Sequence, residues 1–178
     1  MGMSDIRIIV ACDLNGGIGK DGLIPWVENG INKYPNDFKK FSEITKNSIC
    51  IMGRKTYEEI YNLRTQKNPT ATELLLNRQS FVITSSTQDL PLVTKYKSIR
   101  EVVEFNNPDN KDIFIIGGEM LFIEAISFAR QVFLTAIPEY YDCNRFFPIN
   151  YMLKHFSLFT HEKGPNGEVY FSYLRGGK

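Results

Sequence analysis

Ser48–Thr56 reads SICIMGRKT, and this stretch decides the fold. Ser48 to Met52 is a short apolar run, too short for a helix and bounded by a glycine, so it reads as a buried strand ended by Gly53. Thr56-Tyr57-Glu58-Glu59 has the form of a capping box and predicts a helix from about Thr56. A strand that runs through glycine into a helix is the repeating unit of a parallel α/β sheet. The arrangement recurs at Asp112–Glu119, DIFIIGGE, where a fourth strand stops at Gly117-Gly118 and an apolar helix is predicted over Met120–Ala129.

Working outward, Ile6–Cys12 (IRIIVAC) and Ser80–Thr84 (SFVIT) are further apolar strands. Asn36–Lys46 is predicted helical, with Asn36 as cap, Asp37 in the first turn, and Phe38, Phe41 and Ile44 at helical spacing. Ser98–Phe105 predicts a short helix, and the polar stretch Asn62–Thr72, with Pro69, a surface loop. Gln131–Ile137 and Glu168–Leu174 read as late strands with no clear helix between them. The turn-rich Gly164-Pro165-Asn166-Gly167 precedes the second, which predicts an antiparallel strand added at a sheet edge. The expectation is one α/β domain over residues 1–178, with flanking helices on a mainly parallel sheet.

Bulk properties narrow the function. A net charge of +1 provides no basic field for nucleic acid or an anionic membrane, so neither partner is expected. Cys12, Cys50 and Cys143 are scattered and fit no metal-ligand spacing, and His155 and His161 lack partners, so free thiols and no metal are expected. Without a signal peptide or an apolar run of spanning length, a cytoplasmic location is expected.

Gly17-Ile18-Gly19-Lys20-Asp21-Gly22 formally matches a dinucleotide fingerprint, but Leu23-Ile24-Pro25-Trp26 cannot supply the helix on which a pyrophosphate would rest. A mobile glycine-rich loop is the better reading. Gly53-Arg54-Lys55-Thr56 brings two cations, a hydroxyl and backbone N–H groups to one helix start, which suits a phosphomonoester; a capped helix with solvated cations is the alternative. Ile116-Gly117-Gly118-Glu119 allows a pyrophosphate close to the backbone, or is simply a tight turn. Both turns should open at the carboxyl edge of the sheet, where open α/β folds bind ligands. Asp37 shares a helix face with Phe41, so partial desolvation should raise its pKa and suit it to proton transfer; an acid facing water is the alternative. Trp26 is a core anchor or a loop residue over the site. Arg78 is an edge cation or a fork for a substrate carboxylate.

Taken in order, Ile9-Val10-Ala11, Gly17-Ile18-Gly19, Leu23-Ile24-Pro25-Trp26, Asp37-Phe38-Lys39-Lys40-Phe41, Ile51-Met52-Gly53-Arg54-Lys55-Thr56, Arg78, Ile115-Ile116-Gly117-Gly118, Leu134-Thr135 and Phe147-Pro148 resemble dihydrofolate reductase along nearly the whole chain. The resemblance implies hydride transfer from NADPH to C6 of dihydrofolate with protonation at N5, in a monomer inhibited by antifolates such as methotrexate. It implies that Asp37 holds the pterin, with Thr135 in its network and Trp26 holding a water. Ile9, Phe38, Phe41, Ile60, Leu75 and Ile116 would line the substrate pocket, and Arg78 would grip the glutamate tail. Ala11, Ile18 and Gly19 would meet the nicotinamide end of the cofactor. Gly53, Arg54, Lys55, Thr56, Thr84 and Ser85 would hold the phosphates and adenosine, and Gly117, Gly118, Glu119, Met120, Leu121 and Phe122 would flank the pyrophosphate through a cis peptide. The loop from Asp13 to Glu28 would close over the nicotinamide.

The chain departs from the family pattern in longer segments at 27–36 and between Ile60 and Arg78, in Phe122 where some relatives carry tyrosine, and in Met120 where some carry arginine. The rival readings are a riboflavin-pathway reductase of the same fold class and a non-catalytic folate- or nucleotide-binding module.

Overall fold

The computed structural model describes residues 5–104 and 109–176. Its strands are β1 (Ile6–Cys12), β2 (Gly17–Gly19), β3 (Val27–Glu28), β4 (Ile31–Asn32), β5 (Ile49–Gly53), β6 (Gln79–Ile83), β7 (Thr94–Tyr96), β8 (Ile113–Gly117), β9 (Gln131–Ala136), β10 (Arg145–Phe146), β11 (Phe156–Lys163) and β12 (Val169–Arg175). The helices are α1 (Pro35–Ile44), α2 (Arg54–Lys67), α3 (Ile99–Glu104), α4 (Glu119–Ala125) and α5 (Ile149–His155).

Eight strands form one sheet in the order β11-β12-β9-β1-β8-β5-β6-β7. From β9 to β7 every pairing is parallel; β12 joins β9, and β11 joins β12, in antiparallel fashion. The central strands β5 and β8 are apolar on both faces and almost wholly buried, as a sheet covered on both sides requires. On one face Ile6 and Ile8 pack with Ile99 and Val102 of α3, Leu121 and Phe122 of α4, and Met152 of α5. On the other, Met52 and Val82 pack with Tyr57 of α2, and α1 lies over Ile9 and Thr135. The three-layer α/β expectation holds.

Several boundaries differ from the sequence reading. Asn36 does not cap α1: Tyr34 is the N-cap residue and Pro35 takes the first helical position, where its missing N–H costs nothing and its φ is already helical. The helix ends at Ile44 rather than Lys46; Thr45 is its C-cap residue, with its N–H and its hydroxyl both on the Phe41 carbonyl. The capping box at Thr56 does not form. Helix α2 starts two residues earlier with Gly53 as N-cap, which places Thr56 inside the helix. That helix runs to Lys67, so half of the predicted Asn62–Thr72 loop is helical. Helix α4 covers Glu119–Ala125 and stops short of Ala129. Helix α3 begins after Ser98, whose hydroxyl accepts the Glu101 N–H; Phe105 lies outside the described residues.

The largest difference is at the C-terminal end. Helix α5 and strand β11 lie between the two late strands, so the antiparallel addition is a pair, with β11 and not β12 at the edge. Apart from Phe156, β11 is exposed along its length, Leu158 and Phe159 included, so no buried face imposes a regular apolar pattern on it.

Candidate active site

Residues 37, 40, 41 and 44 share one face of α1, and that face roofs a cleft of about 330 Å³ over β1, β9, β12 and β11. The cleft brings together four anticipated residues: Ile9, Asp37, Phe41 and Thr135. It also includes residues that sequence reading did not assign, among them Lys40, Phe133, His161, Glu162, Tyr170 and Ser172. Most of these come from the hairpin β11–β12, which the Gly164–Gly167 turn announces but does not place.

Burial is the main influence on Asp37. It raises the carboxyl pKa above the ordinary aspartate range, a hydrogen bond from Thr135 pulls it partly back, and the charge of Glu168 pushes it up again. Thr135 is fixed by the parallel β1–β9 ladder, opposite Ala11. Lys40, one turn on from Asp37, is ion-paired with Glu162 at 2.7 Å.

Trp26 is 4% exposed and packs with Tyr34, Ile137, Ala11 and Ile24, its ring 5.9 Å from that of Tyr141. Tyr34 donates to Glu139 Oε2 at 2.5 Å, and the Tyr141 hydroxyl donates to the same oxygen. Those bonds hold the Glu139 carboxyl below its usual range; burial first, and then the same bonds, push both phenols up, Tyr34 to about 12.

The glycine-rich loop is docked. Buried Asp13 accepts from the N–H groups of Asn15, Gly17 and Tyr141 at 2.8–2.9 Å. Strand β2 pairs with β10, and Asn144 exchanges two hydrogen bonds with Asp21, at 3.2 and 2.8 Å. Asp13 and Asn144 went unremarked in the sequence, because each acts on a segment remote in the chain or irregular in structure.

The two glycine turns meet, as expected. Met52 pairs with Gly117, and the Gly117-Gly118 peptide is cis. A β-carbon built on either glycine would lie 3.3 Å from Thr56 Oγ1, and Gly117 has φ +137°, a conformation side chains rarely adopt. Neither α2 nor α4 has a side-chain cap, which leaves backbone N–H groups free for a guest. Arg54 pairs with Glu58 at 2.9 Å and donates to Gln88 at 2.6 Å; Lys55 is exposed. Thr84 and Ser85 follow β6 directly, and the Thr84 hydroxyl accepts the Ser86 N–H. Glu119 accepts the Phe146 N–H at 2.6 Å, Met120 is largely exposed, and Leu121 and Phe122 lie in the core, Phe122 edge-on to Phe147. Ile18 packs on that same core. Gly19 lies against Arg145.

The remaining substrate candidates lie outside the cleft lining. Phe38 is 53% exposed. Ile60, Leu75 and Ile116 pack with Met52, Tyr57 and Leu74. Arg78 donates to Thr45 Oγ1 at 2.8 Å, to the Ser42 carbonyl at 2.5 Å and to the Leu76 carbonyl, with its guanidinium 5.9 Å from the Phe41 ring centre.

A mainly parallel sheet with paired glycine turns at its carboxyl edge and a desolvated carboxyl group in an adjacent cleft defines an α/β protein equipped for a nucleotide and a small substrate. Comparison with known proteins is more specific. A family model described as "Dihydrofolate reductase" matches residues 5–173. The chain is 31% identical over 165 residues to dihydrofolate reductase of Bacillus subtilis (strain 168), covering 92% of this chain and 86% of that one. It is 30% identical over 155 residues to the Drosophila melanogaster enzyme, covering 82% and 80%. Among solved structures it resembles dihydrofolate reductase from Enterococcus faecalis complexed with NADP(H) and RAB-propyl, at 26% identity and a TM-score of 0.76 over 99% of both chains. The chain belongs to the dihydrofolate reductase family.

Proposed function

We propose that this protein reduces 7,8-dihydrofolate to 5,6,7,8-tetrahydrofolate with NADPH, a hydride going to C6 and a proton to N5. The observation that carries the reading is Asp37, a carboxyl group desolvated in a cleft with Phe41, Ile9 and Thr135. A carboxyl group with a raised pKa keeps its proton to higher pH than an ordinary aspartate and can favour protonation of a bound ring.

The cofactor fits the residues present. At Gly117-Gly118 a side chain would crowd Thr56, so the turn leaves room for a pyrophosphate beside two uncapped helix starts. Arg54 and Lys55 suit the 2′-phosphate, and Thr56, Thr84 and Ser85 its neighbours. Ala11, Ile18 and Gly19 suit the nicotinamide end. When bound, NADPH supplies the hydride.

The chain's own groups do the rest. Asp37 accepts from the pterin ring N3 and 2-amino group, which sets its orientation. Thr135 fixes the carboxyl group, and Trp26 closes the site from the loop side. Ile9, Phe38, Phe41, Ile60, Leu75 and Ile116 offer apolar contact to the pterin and aminobenzoyl rings. Arg78 takes the glutamate α-carboxylate. The docked Asp13–Glu28 loop excludes water from the reacting atoms. Residues 1–178 then act as one monomeric domain in the cytoplasm, with methotrexate competing for the Asp37 site. Among the described residues, no helix is long and apolar enough to cross a membrane.

The test is direct. Purified protein with NADPH and dihydrofolate should consume the reduced-nicotinamide absorbance, and methotrexate should abolish that loss. No consumption would contradict the proposal.

A further inference from the structure

Glu168 is a carboxylate with no solvent exposure, and no part of the proposed reaction uses it. Its Oε2 accepts the Asn166 N–H and its Oε1 the Tyr170 hydroxyl, each at 2.9 Å. A side chain at Gly164 would collide with the Glu168 carboxyl group, so the turn is shaped around it. Asn166 in turn donates to the Lys33 carbonyl at 2.9 Å, just ahead of the helix that carries Asp37. The tip of the β11–β12 hairpin is thereby clamped to the start of α1.

The ladder supplies the link to Asp37. Tyr170 sits opposite Thr135 in the β9–β12 register, so both side chains leave the same face of the sheet, and both line the cleft. Glu168 lies two residues before Tyr170, just ahead of β12, and its carboxyl group accepts the Tyr170 hydroxyl. Asp37, Thr135, Tyr170 and Glu168 therefore form a row with a carboxyl group at each end.

We propose that Glu168 is a positioning residue for the reaction: through Tyr170 and the clamped turn it holds a second carboxylate near Asp37 and so sets how firmly Asp37 keeps its proton. The proposal rests on Asp37 being the proton-handling group of the proposed reaction. Its electrostatic sense is that of like charges sharing a site, and the upward push on Asp37 from Glu168 has that sign. The other charged and titratable groups around the row are accounted for. Lys40 from α1 stands 5.1 Å above the Tyr170 ring but is ion-paired with Glu162 of β11 at 2.7 Å. His161 of β11 also lines the cleft. Tyr34, ahead of α1, has its hydroxyl on Glu139, and Lys33 is 3.8 Å from that same carboxylate. Glu168 remains the carboxylate tied by hydrogen bonds into the Tyr170–Thr135 pair.

The first test uses the unaltered protein without ligand, labelled with carbon-13 at aspartate and glutamate carboxyls. The Asp37 signal should titrate above the ordinary aspartate value of about 3.9; a midpoint at or below that value would overturn the proposal. The second test is Glu168→Gln, whose amide can still accept from Asn166 but carries no charge. The Asp37 midpoint should fall, and the pH profile of hydride transfer should move down with it. A purely structural role predicts a lower Tm and an unmoved midpoint, and that result would also overturn the proposal. If Glu168→Gln fails to fold, Tyr170→Phe replaces it: loss of the hydroxyl that fixes the Glu168 carboxylate should move the Asp37 midpoint, and an unmoved midpoint would overturn the proposal. Failure of the unaltered protein to oxidise NADPH would instead sink the dihydrofolate reading, and the carboxyl titration would remain readable.

Discussion

Thr135 and Tyr170 face each other across the β9–β12 ladder and both line the cleft that holds Asp37, while the Tyr170 hydroxyl donates to Glu168. The pairing ties the proposed proton-handling residue to the sheet on one side and to a hairpin turn on the other. It also explains why a helix-start acid, which would ordinarily be solvated, sits in a cleft.

Asp37 should cost the protein stability. Its folded pKa is raised chiefly by burial, so the folded state retains a proton that the unfolded chain gives up near the ordinary aspartate value of about 3.9. Such a group's contribution is fully present below the unfolded value and is lost as pH rises through the folded one. Asp37→Asn is therefore expected to raise the urea midpoint at neutral pH, with the gain shrinking as the solution is acidified. Equal midpoints at neutral pH would contradict the desolvation argument.

Gly117→Ala places a β-carbon 3.3 Å from Thr56 Oγ1 at a backbone φ of +137°. Strain of this kind costs about 1–3 kcal/mol. The expected result is a lower Tm and an NADPH Kd raised about tenfold, with dihydrofolate binding far less affected. Calorimetry with each ligand separately checks it, and equal losses for both ligands would count against a pyrophosphate at this turn.

Arg54→Ala removes a half-exposed pair with Glu58, so stability should change by less than about 1 kcal/mol. NADPH affinity should fall more than NADH affinity, because a phosphomonoester near neutral pH carries close to two charges. Parallel KM measurements with the two cofactors decide the point; the same loss for both removes Arg54 from the 2′-phosphate.

Arg78→Ala should act twice. Its guanidinium bonds to Thr45 and Ser42 tie the end of α1 to the approach to β6, so Tm should drop. The dihydrofolate KM should rise, while a pterin lacking the glutamate tail should be turned over with an unchanged KM. A rise for the truncated pterin would show that the effect is structural.

The parts of the fold that could be read from sequence are those where local pattern and burial agree. SICIM and DIFII are central strands shielded on both faces, IRIIVAC is one whose alternate residues are buried, and the glycines that end SICIM and DIFII mark where the chain must leave the sheet. Strand β11 was missed because an exposed edge strand needs no apolar run. Pro35 overrode Asn36 as the determinant of where α1 begins, and the polar surface of α2 disguised its last turn as loop. In the site, Asp37 and Phe41 could be read because they lie one helical turn apart. Tyr170, Ser172 and Glu162 could not, since they reach the cleft only through strand register. The Asp13 and Asn144 contacts that dock the loop likewise depend on segments far apart in sequence.

The central claim is that Asp37 controls proton delivery in a reaction driven by NADPH. The most direct measurement is the single-turnover rate of hydride transfer to dihydrofolate across pH, in the unaltered protein and in Asp37→Asn. The account predicts one titration in the unaltered protein, centred above the ordinary aspartate range, and a flat profile about a hundredfold lower at its acid plateau in the variant. Superimposable profiles in the two proteins would contradict it.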